Sequence, residues 1–194
     1  MKTILLLEDL PEIRAWLKTL VMQVFPDGQI SEAARVHDAL ELVSAIKFDL
    51  ALCDLGLPDG SGVDVVAKLR ELQPEAQSVV VTIHDDDDHL FPALQAGAFG
   101  YLLKEQAREL IAEQLKRMSQ GEPPLSPSIA RRVLTHFAKM TRRQERPQNM
   151  PPVSLTVREN EVLLRVAKGF TLPEIGVQLS LSRHTIADYV KQIY

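Results

Sequence analysis

Five side chains in the first half of the sequence have the types and positions to do chemistry together. Glu8 and Asp9 close one short apolar run, Asp54 follows another, Thr82 ends a third and Lys104 follows a fourth. If those runs are parallel strands, their carboxyl ends are neighbours and three carboxylates meet at one edge. Like charges packed that way are costly unless a cation joins them. An oxygen-only set with open positions suits Mg²⁺, which keeps waters and binds through a few carboxylates plus phosphate. A hydroxyl at Thr82 and an ammonium at Lys104 would grip phosphoryl oxygens, and Asp54 would attack as the nucleophile to give an aspartyl-phosphate. The plainer alternative is that acidic residues at strand ends face water and that Lys104 is one more solvated lysine.

The elements that must position these groups are legible in the apolar pattern. Ile4–Leu7, Gln29–Ser31, Leu50–Cys53, Val79–Thr82 and Phe99–Leu103 are short runs, mostly unbroken, as expected for strands buried on both faces. Between them lie helical patterns: one from Pro11, then about Val36–Ala45, Val63–Leu72, Leu90–Ala96 and Ala107–Met118. Five strands alternating with five helices predict an α/β fold, a doubly wound five-stranded parallel sheet over residues 1–118. Ligands of such sheets bind at the carboxyl ends of the strands, where the five side chains fall.

Residues 119–153 read as a linker: Gly121–Pro127 is a Pro-rich break, a helix is expected over 128–140, and Thr141–Pro152 is polar and expected to be flexible. Residues 154–194 form a small all-α module. Thr156 and Glu159 make a capping box, Gly169 stops the first helix, Thr171 and Pro173 open a second, and Ser182 caps a third. The third helix has Ile186, Val190 and Ile193 inside and Arg183, His184, Ala187, Asp188 and Lys191 outside. Two helices and a tight turn fit a helix-turn-helix, though an ordinary helical bundle has the same pattern. Charge divides at the same place. Residues 1–118 hold 11 Lys/Arg against 20 Asp/Glu, while 119–194 hold 11 against 6, so the back half suits a polyanion partner.

Both halves resemble known families. Residues 1–118 are similar to a two-component response-regulator receiver in Glu8-Asp9, Asp54-Leu55-Gly56-Leu57-Pro58-Asp59-Gly60-Ser61-Gly62, Thr82 and Ala96-Gly97-Ala98-Phe99-Gly100-Tyr101-Leu102-Leu103-Lys104. The resemblance implies a flavodoxin-like fold with Asp54 as phosphoacceptor. It implies Mg²⁺ held by Glu8, Asp9, Asp54 and the Gly56 carbonyl, and Thr82 and Lys104 on the phosphoryl group. It also implies that Tyr101 is the aromatic that swings inward when Thr82 moves. Ile83 is bulkier than the small residue common there. Leu155–Leu163 and Glu174–Ile186 resemble the LuxR-type helix-turn-helix, and the whole chain is similar to the NarL/FixJ class of transcriptional regulators. That class implies a sensor histidine kinase as phosphodonor, promoter DNA read in the major groove, and a homodimer when active. Carried over, the DNA-contacting positions are Arg183 and His184 near phosphates, Ala187 against a thymine methyl, Asp188 at a cytosine amino group and Lys191 on a phosphate. Tyr194 falls inside the recognition helix, so the module is expected to be incomplete at its C-terminus.

Two other readings remain. A receiver could work through protein contacts alone, or the chain could be an aspartate-nucleophile phosphohydrolase; the latter usually needs an acid two residues after the nucleophile, where Gly56 stands. The run His84-Asp85-Asp86-Asp87-Asp88-His89 has spacing compatible with a second metal, but a helix start with Asp88 as N-cap is simpler. Cys53 is expected to be a small buried hydrophobe, and a single cysteine allows no intrachain disulfide. No apolar run has the length of a signal core or membrane span, so a soluble, cytoplasmic protein without membrane contact is expected.

Overall fold

The computed structural model describes residues 2–118, 121–143 and 155–193. Five parallel strands make the main sheet: β1 (Thr3–Leu7), β2 (Gln29–Ala33), β3 (Leu50–Cys53), and, beyond a small hairpin of β4 (Gly56–Leu57) and β5 (Gly60–Ser61), β6 (Gln77–Thr82) and β7 (Gly100–Leu103). Their order is β2-β1-β3-β6-β7. The chain therefore passes from β1 to β2 on one side and then crosses back to β3 on the other side of β1, and the crevice at the β1/β3 carboxyl ends is the topological switch point.

The helices α1 (Pro11–Val24), α2 (Val36–Ala45), α3 (Gly62–Leu72), α4 (Asp87–Gln95) and α5 (Arg108–Met118) cover both faces. Side chains alternate across each strand, so the continuous apolar runs feed two cores. Ile4, Leu6, Leu50, Leu52, Val79, Val81 and Leu102 pack with α1 and α5. Leu5, Leu7, Ala51, Cys53, Val80 and Tyr101 pack with α2, α3 and α4. Burial on both faces explains why these strands read as unbroken apolar runs.

Two expected boundaries shift. Helix α4 begins earlier than its apolar pattern, because Asp86, not Asp88, is its N-cap: the Asp86 carboxylate accepts from the backbone N–H of His89 at 3.1 Å. The linker helix α6 spans Pro127–Arg143 instead of ending at 140, since no Gly or Pro interrupts it before Pro147. Most of the expected polar linker lies outside the described residues, as does Tyr194. Among the described residues, no helix is long and apolar enough to cross a membrane.

The C-terminal helices are α7 (Val157–Ala167), α8 (Leu172–Leu179) and α9 (Arg183–Ile193). The expected capping box is present, with Glu159 N–H donating to Thr156 Oγ1 at 3.3 Å and Thr156 N–H to Glu159 Oε2 at 2.6 Å. Ser182 caps α9 through Thr185 N–H at 3.0 Å. Val162, Leu172, Ile175, Ile186 and Val190 form the small core of the module.

The linker binds both halves together. Tyr101 N–H donates to the Pro124 carbonyl at 2.9 Å, and Leu125 bridges alongside Tyr101 at the β7 edge of the sheet. Gly100 is required there, because a Cβ would lie 2.4 Å from Pro124 Cγ. Ile129, Ala130 and Val133 of α6 are buried in the same cluster as Leu163 and Ala167 of α7.

Candidate functional site

Strand register assembles the site. Leu7 lies opposite Cys53, and Asp54 N–H donates to the Leu7 carbonyl at 2.9 Å, which sets Asp54 beside Glu8 and Asp9. Thr82 lies opposite Leu103, and Lys104 N–H donates to the Thr82 carbonyl at 2.8 Å. All five expected residues therefore converge on one edge. The carboxylate oxygens of Glu8, Asp9 and Asp54 come within 4.8 Å of one another. Lys104 Nζ reaches across to them, 2.8 Å from Asp54 Oδ2 and 2.6 Å from Glu8 Oε2.

The site is dry. Glu8 and Thr82 are fully buried and Asp54 nearly so. Burial pushes the Glu8 carboxyl above the ordinary carboxylate range, opposed by the ion pair with Lys104 and reinforced by the Asp54 charge. Glu8 Oε2 lies close to the ammonium but off the axis of a proper hydrogen bond, so this buried oxygen has unfilled acceptor capacity. Three converging carboxylates with an unfilled buried oxygen fit a hard divalent cation of the Mg²⁺ type.

Several supporting residues were given no role of their own by the sequence pattern. Arg14, one turn into α1, donates to the carbonyls of Glu8 and Asp9 at 2.6 and 3.3 Å and fixes the β1–α1 loop. Leu55 N–H donates to Asp54 Oδ1 at 2.7 Å and orients the carboxylate. Asp59, on the hairpin, caps α2 from a distance by accepting from Val36 N–H and His37 N–H at 2.9 and 3.0 Å. Gly62 allows α3 to start against the site: a Cβ there would sit 1.8 Å from the Asp54 carbonyl oxygen.

Beyond Thr82 the chain turns over the pocket. His84 N–H reaches Thr82 Oγ1 at 3.4 Å, and Tyr101 Oη donates to the His84 carbonyl at 2.8 Å. Tyr101 points inward and is fully buried under the linker, and desolvation raises its pKa. His84 Nε2 faces Gly56, 3.2 Å from where a Cβ would be. Ile83 turns out to solvent, 60% exposed, so its bulk does not fill the pocket. His84, Asp86 and His89 also cluster. However, the His84 and His89 rings stack at 3.9 Å and 7°, which points their nitrogen lone pairs side by side and not at a common centre. The Asp86 carboxylate is taken up by the α4 cap and by His89 Nδ1 at 2.7 Å. Cys53 is buried as expected, and burial pushes its thiol up to about 12.

Residues 4–116 match the family described as response regulator receiver domain, more than half of the chain. The chain belongs to the response regulators. Residues 153–194 match the bacterial regulatory proteins of the luxR family. The chain is 30% identical over 191 residues to the transcriptional regulatory protein LiaR of Bacillus subtilis, covering 98% of this chain and 88% of that one. It is 29% identical over 191 residues to the nitrate/nitrite response regulator protein NarL of Escherichia coli K12, covering 98% and 87%. Among solved structures, a CheY-like receiver domain protein from Methanospirillum hungatei JF-1 superposes with a TM-score of 0.56 at 27% identity, covering 61% of this chain and 93% of that one. This response regulator thus joins a receiver to a LuxR-type helix-turn-helix and controls transcription in dependence on phosphorylation.

The expected DNA-contacting residues do not all stand free. His184, Asp188 and Lys191 are exposed on α9. Ala187 is not: it is 8% exposed and belongs to the module's core with Ile186 and Val190, because a small side chain lets α9 pack closely there. Arg183 Nε pairs with Glu122 of the linker at 3.3 Å. Val190 and Lys191 line a 260 Å³ cavity with Arg70, Gly97, Phe99 and Pro123, so one side of α9 faces the receiver.

Proposed function

We propose that Asp54 is the phosphoacceptor of this response regulator and that a sensor histidine kinase supplies the phosphoryl group. The observation that carries this reading is the Lys104–Asp54 contact, 2.8 Å at the β3 carboxyl end with Glu8 and Asp9 alongside. Leu55 N–H and Lys104 hold the Asp54 carboxylate in a fixed orientation, so an oxygen is presented for in-line attack on phosphorus. A P–N bond to the donor histidine breaks as the P–O bond to Asp54 forms, and the electron pair leaves on the imidazole nitrogen. Lys104 then moves its charge from a carboxylate to a phosphoryl oxygen, and the Thr82 hydroxyl donates to another. Glu8, Asp9, Asp54 and the Gly56 carbonyl would hold Mg²⁺, which when bound neutralises the remaining phosphoryl charge.

The domains we assign are a receiver over 1–118, a linker over 119–153 and a DNA-binding module over 154–194. His84 and Gly56 flank the water path to the acyl phosphate and set the rate of self-catalysed dephosphorylation. Arg183, His184, Asp188 and Lys191 meet DNA once α9 is free, as part of a homodimer on promoter DNA. Gly56 faces His84 and supplies no second acid, which disfavours a phosphohydrolase. The reading is tested by electrophoretic shift of promoter fragments selected from random genomic DNA. Acetyl phosphate with Mg²⁺ is expected to tighten binding by wild type and leave Asp54→Asn unchanged; equal tightening of both would refute it.

A further inference from the structure

Between β6 and α4 the chain lays one imidazole ring on another. The His84 and His89 rings stack with centroids 3.9 Å apart and planes 7° from parallel. The His84 backbone is tied on both sides: its N–H reaches Thr82 Oγ1 at 3.4 Å, and its carbonyl takes the Tyr101 hydroxyl at 2.8 Å. Its side chain has no such tie. Among the described residues no hydrogen bond reaches either ring nitrogen of His84, so contact with the face of His89 is what sets the plane of the ring.

His89 is itself fixed. Its Nδ1 lies 2.7 and 2.9 Å from the two Asp86 carboxylate oxygens, and since a carboxylate only accepts, Nδ1 carries the proton. The His89 backbone N–H donates to the same carboxylate at 3.1 Å, the cap that starts α4. The plate under His84 is therefore anchored to the first turn of a helix. At the edge of the His84 ring, Nε2 faces Gly56, 3.2 Å from where a Cβ would stand. A side chain at position 56 would fill that place; glycine leaves the nitrogen open beside the Asp54 pocket.

We infer that His89 is a positioning residue for loss of the phosphoryl group: it holds the His84 ring so that Nε2 accepts a hydrogen bond from the attacking water. The inference deepens, and rests on, the reading of Asp54 as phosphoacceptor with His84 beside the water path. In this step the water oxygen bonds to phosphorus, and the P–O bond to Asp54 breaks with its electron pair returning to the carboxylate. The water's proton leaves on the phosphate. His84 touches the reacting water, whereas His89 touches neither water nor phosphate and acts through His84. During uptake the departing donor group fills the in-line position that water takes later, so His89 governs loss of the phosphoryl group and not its arrival.

The test loads the full chain with acetyl phosphate and Mg²⁺, removes the donor by gel filtration, and follows the adduct by intact mass; uptake is timed during loading. The variants are His84→Ala, His89→Ala, His89→Phe and the double variant His84→Ala with His89→Ala. His89→Ala keeps the backbone N–H that the Asp86 cap uses. Loss is expected to slow about tenfold in His84→Ala, the scale of one oriented hydrogen bond, and about fivefold in His89→Ala, the scale of one ring stack. His89→Phe, which keeps a flat ring without the Asp86 anchor, is expected to fall between His89→Ala and wild type. The double variant is expected to match His84→Ala, since no ring remains for His89 to hold. Slowed loss in His84→Ala with unchanged loss in His89→Ala, further slowing in the double variant, His89→Phe no faster than His89→Ala, or uptake slowed as much as loss in His89→Ala would each overturn the positioning role and leave the His84 reading standing. Unchanged or faster loss in His84→Ala, or no adduct on wild type, would refute the underlying reading and the inference with it.

Discussion

Lys104 and Asp54, fifty residues apart, meet at 2.8 Å, and the same ammonium lies 2.6 Å from Glu8. One buried cation therefore balances two buried carboxylates in the resting chain. Lys104→Met would leave both uncompensated. We expect unfolding by urea to show a loss on the order of 3 kcal/mol at neutral pH, with part of it regained when millimolar Mg²⁺ is added and lost again on chelation.

Gly62 lets α3 begin against the Asp54 backbone, where an added Cβ would stand 1.8 Å from the carbonyl oxygen. Gly62→Ala must displace either the helix or Asp54. We expect about 2 kcal/mol of destabilisation from the overpacking, and labelling by acetyl phosphate slowed on the order of a hundredfold by the misplaced carboxylate.

Tyr101 Oη donates to the His84 carbonyl at 2.8 Å inside a buried contact. Tyr101→Phe keeps the ring and removes the donor. A stability loss of about 1 kcal/mol is expected. Faster hydrogen exchange at Ile83 to Asp86 would locate the loss in the loop above the pocket, and an unchanged loop would contradict the assignment.

Asp59 accepts from the N–H groups of His37 and Val36, and these bonds hold its carboxyl below the usual Asp value. A folded-state pKa below the unfolded one gives stability that is present above the unfolded value, about 3.9, and is lost as pH falls through the folded value. Wild type is therefore expected to melt above Asp59→Ala at neutral pH, and the gap should close as pH falls below about 3.9. A gap that stays constant down to acid would show that Asp59 acts by packing.

The convergence of Glu8, Asp9, Asp54, Thr82 and Lys104 was legible because each sits at the end of an apolar run, and parallel strands bring such ends together. The capping box at Thr156 was equally plain, since the motif is local. What lay beyond reach depended on contacts that spacing alone does not show. Asp59 caps a helix that begins 23 residues earlier in the chain. Asp86 outcompetes Asp88 as the α4 cap because His89 folds back onto it. Ala187 reads as an outer position on a lone helical wheel, yet it is buried where α9 packs within its own module. The acidic run looked like charge at a helix start, yet Asp87 also pairs with Arg132 of α6, 45 residues away.

The most direct test of the account is phosphoryl transfer itself. Wild type and Asp54→Asn are incubated with acetyl phosphate and Mg²⁺ and read by intact mass. One phosphoryl group on wild type, none on Asp54→Asn, and loss of the adduct from wild type in hydroxylamine are expected. Equal labelling of the two chains would contradict the assignment of Asp54.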